Sequence, residues 1–95
     1  MISAISTYLV MEGGEQAFEA AFTELQQQVV ASEQGTVGFQ LYCAAGDTRR
    51  YKVIAHFRDE RAMDEHNSGL FLGAMAKQLY ALCERPPETE ILRAI

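Results

Sequence analysis

Clustered positive charge is what this sequence most conspicuously lacks. Eight Lys and Arg face thirteen Asp and Glu, for a formal net charge of −5, and only Arg49, Arg50 and Lys52 gather together. Phosphate contacts draw their affinity from grouped cations that release counterions, so neither nucleic acid nor an anionic membrane is expected as a partner. No apolar run approaches the roughly 18 residues that cross a bilayer. Met1-Ile2-Ser3-Ala4-Ile5 has no basic stretch before its apolar residues, so a cytoplasmic protein is expected. Cysteine is scarce as well. Cys43 and Cys83 are far apart, with no Cys-x-x-Cys and no histidine at ligand spacing. That pattern predicts no metal site and two reduced, mostly buried thiols. Low-complexity runs and Pro/Gly/Ser linkers are absent too, so the 95 residues, 48% hydrophobic, are read as one domain spanning 1–95. A chain this short buries a limited share of its surface alone, which favours burial against a second copy.

What is present is strong periodicity. Ile2 to Val10 is rich in β-branched and aromatic residues and ends at Glu12-Gly13-Gly14, the pattern of a strand followed by a turn. Phe18, Phe22, Leu25 and Val29 recur at steps of four, three and four between Glu15 and Ala31, as in a helix that buries one stripe. After Gly35, Thr36 to Ala45 alternates Val37, Phe39, Leu41 and Cys43 on one face. Arg50 to Arg58 alternates Tyr51, Val53, Ala55 and Phe57 against Lys52, Ile54, His56 and Arg58. With Gly46-Asp47-Thr48 between them, the two segments read as a hairpin. Asp59 is a suitable N-cap for a short helix ending near His66. Asn67-Ser68-Gly69 interrupts, helical spacing resumes from Phe71 to Cys83, Pro86-Pro87 stops it, and Glu88 to Ile95 reads as a last strand.

The resulting order, βαββαβ with its second α element broken in two, predicts an α+β ferredoxin-like fold, with helices on one face of an antiparallel sheet. Ile5, Leu9, Val10, Ile54, Leu92 and Ala94 cannot all share the helix side with Tyr51, Val53, Phe57 and Ile91. Both sheet faces therefore carry apolar area. The uncovered one calls for a second subunit stacked sheet on sheet, a two-fold homodimer.

The stretch from Tyr51 to His66, an alternating strand ending in an aromatic residue, a capped turn and an Ala-containing helix closed by histidine, resembles the antibiotic biosynthesis monooxygenase family. Gly35 and Val37-Gly38-Phe39-Gln40-Leu41 are similar to that family's second strand, which follows an acidic-Gly turn. The resemblance implies a dimeric α/β barrel. It also implies a pocket between sheet and helices for a small aromatic ligand, and oxygenation of a quinol or polyphenol by O₂ without a cofactor. In such chemistry the protein contributes deprotonation, orientation and exclusion of water. Phe57 stands where members usually have Trp or Tyr, and His66 matches the histidine at the helix end. Two positions depart: Ala55 replaces a frequent strand glutamate, and Phe71 a frequent second histidine. The haem-degrading members' Asn, Trp and iron ligand correspond here to Thr7, Phe57 and Ala76, which does not suit haem.

His66 is the candidate catalytic base. It lies one helical turn beyond Ala62 and Met63, on the inward stripe, and histidine's ordinary pKa of about 6.5 lets a neutral imidazole accept a phenolic proton. The competing reading makes it a capping or core-satisfied residue at a helix end, whose imidazolium would also favour the C-terminal dipole. Phe39, Tyr51, Phe57, Asn67, Phe71 and Met75 are the candidate substrate-binding residues, giving mostly apolar walls with few polar groups. His56, of opposite parity to Phe57, is expected on the dimer side. Gly13-Gly14 lacks the spacing of a phosphate-binding loop, and Gly-x-Ser-x-Gly and His-Glu-x-x-His do not occur. Two further functions stand beside the monooxygenase: a non-catalytic dimeric ligand-binding or accessory module, and an isomerase or lactone-processing enzyme of the same fold.

Overall fold

Strand pairing organises the chain. The computed structural model describes residues 1–95, except for the side chains of Leu70 and Phe71. Strand β1 (Ile2–Leu9) lies at the centre of a four-stranded antiparallel sheet. It is flanked by β3 (Asp47–Phe57) on one side and β4 (Glu88–Arg93) on the other, with β2 (Thr36–Ala44) outside β3. Helices α1 (Glu15–Ser32), α2 (Glu60–Asn67) and α3 (Leu70–Ala81) complete the order. The fold is thus α+β and ferredoxin-like, with the second helical element divided as the Asn67-Ser68-Gly69 break predicts.

Each element follows from local sequence. Gly13 adopts φ 88° in the turn before α1, a conformation that costs glycine little and other residues more. The stripe read from the sequence, Phe18, Phe22, Leu25 and Val29, is the buried side of α1. Burying such side chains contributes roughly 1.5–3 kcal/mol each. Asp59 caps α2 by accepting the Ala62 N–H at 2.9 Å. β3 begins three residues earlier than its alternation suggests, because Ala44 pairs with Asp47 across a bulge and a two-residue turn; Asp47 and Thr48 thereby join the ladder.

Register fixes which side chains meet the helices. Ile2 pairs with Phe57, Ala4 with Ala55, Ser6 with Val53 and Tyr8 with Tyr51, and alternation turns these rows to the helix side. Tyr8, Phe18 and Tyr51 form the aromatic centre of the core, with ring centroids 5.2 Å (Tyr8–Phe18) and 5.0 Å (Phe18–Tyr51) apart. The opposite face carries Ile5 against Ile54 and Ser3 against His56, with Leu92 opposite Ser3 on the other edge of β1. His56 therefore lies on the uncovered face, where Ser3 Oγ is 2.6 Å from its Nδ1. Two expectations need correction. Val10 belongs to the core, fully buried, because β1 ends at Leu9 and Val10 bridges to Cys83 with the parity of Tyr8. Cys43 is exposed while Cys83 is buried; Cys43 sits on the outer strand next to the hairpin tip, beyond helix cover. Among the described residues, no helix is long and apolar enough to cross a membrane.

Burial, reinforced by Tyr80 and Cys83, pushes the Tyr8 phenol above its ordinary range. Burial also raises Tyr51, aided by the hydrogen bond its hydroxyl donates to Glu19 Oε2 at 2.6 Å. Both phenols therefore keep their protons in the folded state at pH values where the unfolded chain has lost them. Stability must fall as pH rises past the unfolded tyrosine value of about 10. Urea unfolding should show a midpoint that drops between about pH 9 and about pH 11, and Tyr8→Phe should lessen the drop.

Candidate functional site

The paired rows of the sheet leave a gap under the helices. Between the Ile2–Phe57 row and the Tyr8–Tyr51 row stand small or short side chains, Ala4 with Ala55 and Ser6 with Val53. Above them is a cavity of about 310 Å³. Its floor is Ala4, Ser6, Val53 and Ala55, and its roof comes from Leu72, Gly73, Ala76 and Leu79 of α3. Phe39, Phe57 and His66 close one end, while Tyr8, Tyr80 and Thr89 stand at the other. Polar groups are few and lie at the ends: the His66 imidazole at one, and at the other the Ser6 and Thr89 hydroxyls, 2.8 Å apart. A flat, mostly apolar molecule with oxygen substituents fits such a lining.

His66 is the one buried polar residue among those described, 6% exposed. Its ring centroid lies 5.3 Å from that of Phe39 and 5.1 Å from that of Phe57, so its plane is set by aromatic packing. Its Nδ1 lies 2.6 Å from Glu33 Oε1, and the Thr36 hydroxyl donates to the same oxygen at 2.7 Å. A carboxylate only accepts, so Nδ1 carries the hydrogen and donates it. In the neutral imidazole the lone pair is then on Nε2, across the ring from Glu33. No hydrogen-bond partner for Nε2 occurs among the described residues, and the ring lines the cavity. His66 lies in the last turn of α2, and its partner is a carboxylate beyond the end of α1.

The approach of α2 to the chain before β2 makes this pair possible. Gly35 lies against α2 so closely that a Cβ there would come within 2.5 Å of the Ala62 Cβ. The Arg58 N–H donates to the Gly35 carbonyl at 2.9 Å. Ala62 and His66 share one face of α2, and Glu33 precedes Gly35 by two residues. The missing Cβ thus brings carboxylate and imidazole together. Beside the pair is a second cavity of about 330 Å³, lined by Ser32, Glu33, Thr36 and Glu65 together with Val29, and sharing His66, Leu25 and Leu72 with the first.

The structure brings together some of the residues singled out from the sequence and separates others. Phe39, Phe57 and Asn67 line the first cavity with His66. Tyr51 and Met75 are buried in the core and do not line that cavity among the described residues. The Phe71 side chain lies outside the described residues. Ala55 and Ala76 line the cavity with methyl groups, whereas Thr7 accepts a hydrogen bond from Lys52 Nζ at 3.0 Å on the other face of the sheet. Glu33 is not among the candidates read from the sequence. Its signal was the acidic residue two positions before a glycine that opens a strand. No group of three potential metal-ligating residues occurs among the described residues.

With this geometry in hand, comparison with known proteins is informative. The family model for antibiotic biosynthesis monooxygenases matches residues 1–77. Among solved structures, one from Caulobacter crescentus described as belonging to that group is 24% identical with a TM-score of 0.94, covering 99% of this chain and 89% of that one. A conserved protein from Methanosarcina mazei is 17% identical with a TM-score of 0.93, covering 99% and 92%. SnoaB, a cofactor-independent oxygenase from Streptomyces nogalater solved as a point variant, is 22% identical with a TM-score of 0.85, covering 98% and 91%. No curated protein sequence matches the chain.

If the Gly35–Ala62 approach sets the dyad, Gly35→Ala must push α2 outward. Urea unfolding should show a loss of about 1–3 kcal/mol. The His66 ring resonances should shift as its bond to Glu33 lengthens. Unchanged stability and ring resonances would contradict this origin of the site.

Proposed function

This chain belongs to the antibiotic biosynthesis monooxygenase family, and from that premise we propose that it oxygenates a quinol or polyphenolic aromatic with O₂, without a cofactor. The observation that carries the reading is the buried imidazole whose Nδ1 is bonded to Glu33 at 2.6 Å while its ring lines the cavity. In this reading His66 Nε2 takes the proton of a substrate hydroxyl: the O–H bond breaks, an N–H bond forms, and an electron-rich anion remains. Phe39 and Phe57 flank the reacting end, and Asn67 stands at its margin. The anion gives an electron to O₂, and the two radicals combine. Loss of water from the resulting peroxide leaves a quinone bearing the second oxygen atom. For a hydroquinone the sum is hydroquinone plus O₂ to hydroxyquinone plus water, so the substrate supplies every electron and no external reductant enters. Holding substrate and O₂ in an apolar cavity limits side reactions with water.

The reading includes a homodimer in a reducing, cytoplasmic setting, where Cys43 and Cys83 stay unpaired. Its support is the apolar area on the sheet face opposite the helices, where Ile5 and Ile54 pair and Leu92 is 43% exposed. A second copy stacked on this face removes it from water. Sedimentation of the purified protein should give twice the chain mass, and a monomer at micromolar concentration would contradict it.

The experiment for the activity is oxygen uptake by chelator-treated protein, without added flavin, on a panel of hydroquinones and polyphenols. At least one should be consumed faster than in buffer, and His66→Ala should lower that rate about a hundredfold or more. If no compound stimulates uptake, the chain is a binding module of this fold; if His66→Ala keeps the full rate, His66 is not the base.

A further inference from the structure

His66 lines both cavities, the mostly apolar one over the sheet (inner) and the one beside Glu33 (outer), and Leu25 and Leu72 line both as well. The Glu33 carboxylate lines only the outer one. Its Oε1 already accepts two hydrogen bonds, from His66 and Thr36, and its side chain is 26% exposed, against 6% for His66. The other charged side chain lining the outer cavity, Glu65 of α2, lies 3.1 Å from Arg61. Glu33 is therefore the anion placed to answer a charge on the imidazole.

We propose that Glu33 is a positioning residue that supplies the countercharge for a protonated His66. The proposal rests on His66 acting as the base. When a ligand O–H bond breaks and Nε2–H forms, the imidazolium lies between two anions, the ligand oxygen on one side and Glu33 on the other. The proton remains on Nε2 and is available for return in a later step. A mostly apolar cavity alone would resist this charge separation, because burial disfavours unpaired ions. A charge-assisted bond to an ionised partner offsets that cost.

4-Nitrophenol tests this directly, since its anion absorbs at longer wavelength than its neutral form. At a pH below the ionisation of the free probe, the wild-type protein should bind it with the anion band. Glu33→Gln, which keeps the shape and an acceptor for Nδ1–H, should lower the bound anion-to-neutral ratio by about tenfold to a hundredfold and leave the protein folded by circular dichroism. In Glu33→Ala, sodium formate should restore the anion band by entering the outer cavity, and sodium chloride at equal ionic strength should not. An anion band in Glu33→Gln equal to wild type, or no recovery with formate, overturns the role of Glu33 and leaves His66 as base intact. A neutral probe bound to the wild-type protein overturns both.

Discussion

The chain passes from α1 into β2 through Glu33-Gln34-Gly35, and at that point α2 leans against it with no Cβ on Gly35 to hold it off. Ala62 fills the space, and one turn later His66 reaches the Glu33 carboxylate at 2.6 Å. Much follows from this contact. A buried imidazole without a partner would cost several kcal/mol, and here one ring nitrogen is bonded to an anion while Phe39 and Phe57 hold the ring. The remaining nitrogen is left for whatever enters the cavity. The same bond ties α2 to the end of α1, joining two elements that the sheet does not connect directly.

The cavity exists for a second reason, which lies in the floor. Along the paired centre of the sheet, large side chains stand in the first and last rows, Ile2 with Phe57 and Tyr8 with Tyr51, and small or short ones between them. Ala55, in the position where relatives often have a glutamate, belongs to that low ground. Its methyl group forgoes a polar contact and leaves volume. The chemistry is consequently concentrated at the ends, with an imidazole at one and hydroxyls at the other. His66 and its partner Glu33 are thus the acid–base pair that this end of the cavity offers.

Much of the fold was legible in the sequence because its periodicities are clean. The α1 stripe from Phe18 to Val29, the alternation from Tyr51 to Phe57, the Asp59 cap and the Pro86-Pro87 stop each name their element, and the βαββαβ order then allows few arrangements. His66 was legible as a candidate from its place on the inward stripe of a short helix. Glu33 was not, since its role depends on the approach of Gly35 to Ala62, a contact between segments 27 residues apart that no local pattern announces. Tyr51 and Met75 mislead for a related reason: strand parity and helix spacing identify the inward side, but they do not separate residues that fill the core from those that border a gap. Val10 and Cys43 show the limit of alternation at strand ends, where a bridge draws Val10 into the core and the hairpin tip leaves Cys43 in water.

The bond to Glu33 fixes the His66 imidazole with hydrogen on Nδ1 and leaves Nε2 with no partner among the described residues. Nitrogen-15 NMR of the histidine side chains at about pH 9, above the ordinary histidine range, measures this tautomer directly. The account predicts that His66 shows a protonated Nδ1, downfield-shifted by its short hydrogen bond, with Nε2 unprotonated, and that Glu33→Ala collapses this preference. A His66 protonated at Nε2, or one whose tautomer is indifferent to Glu33→Ala, would contradict it.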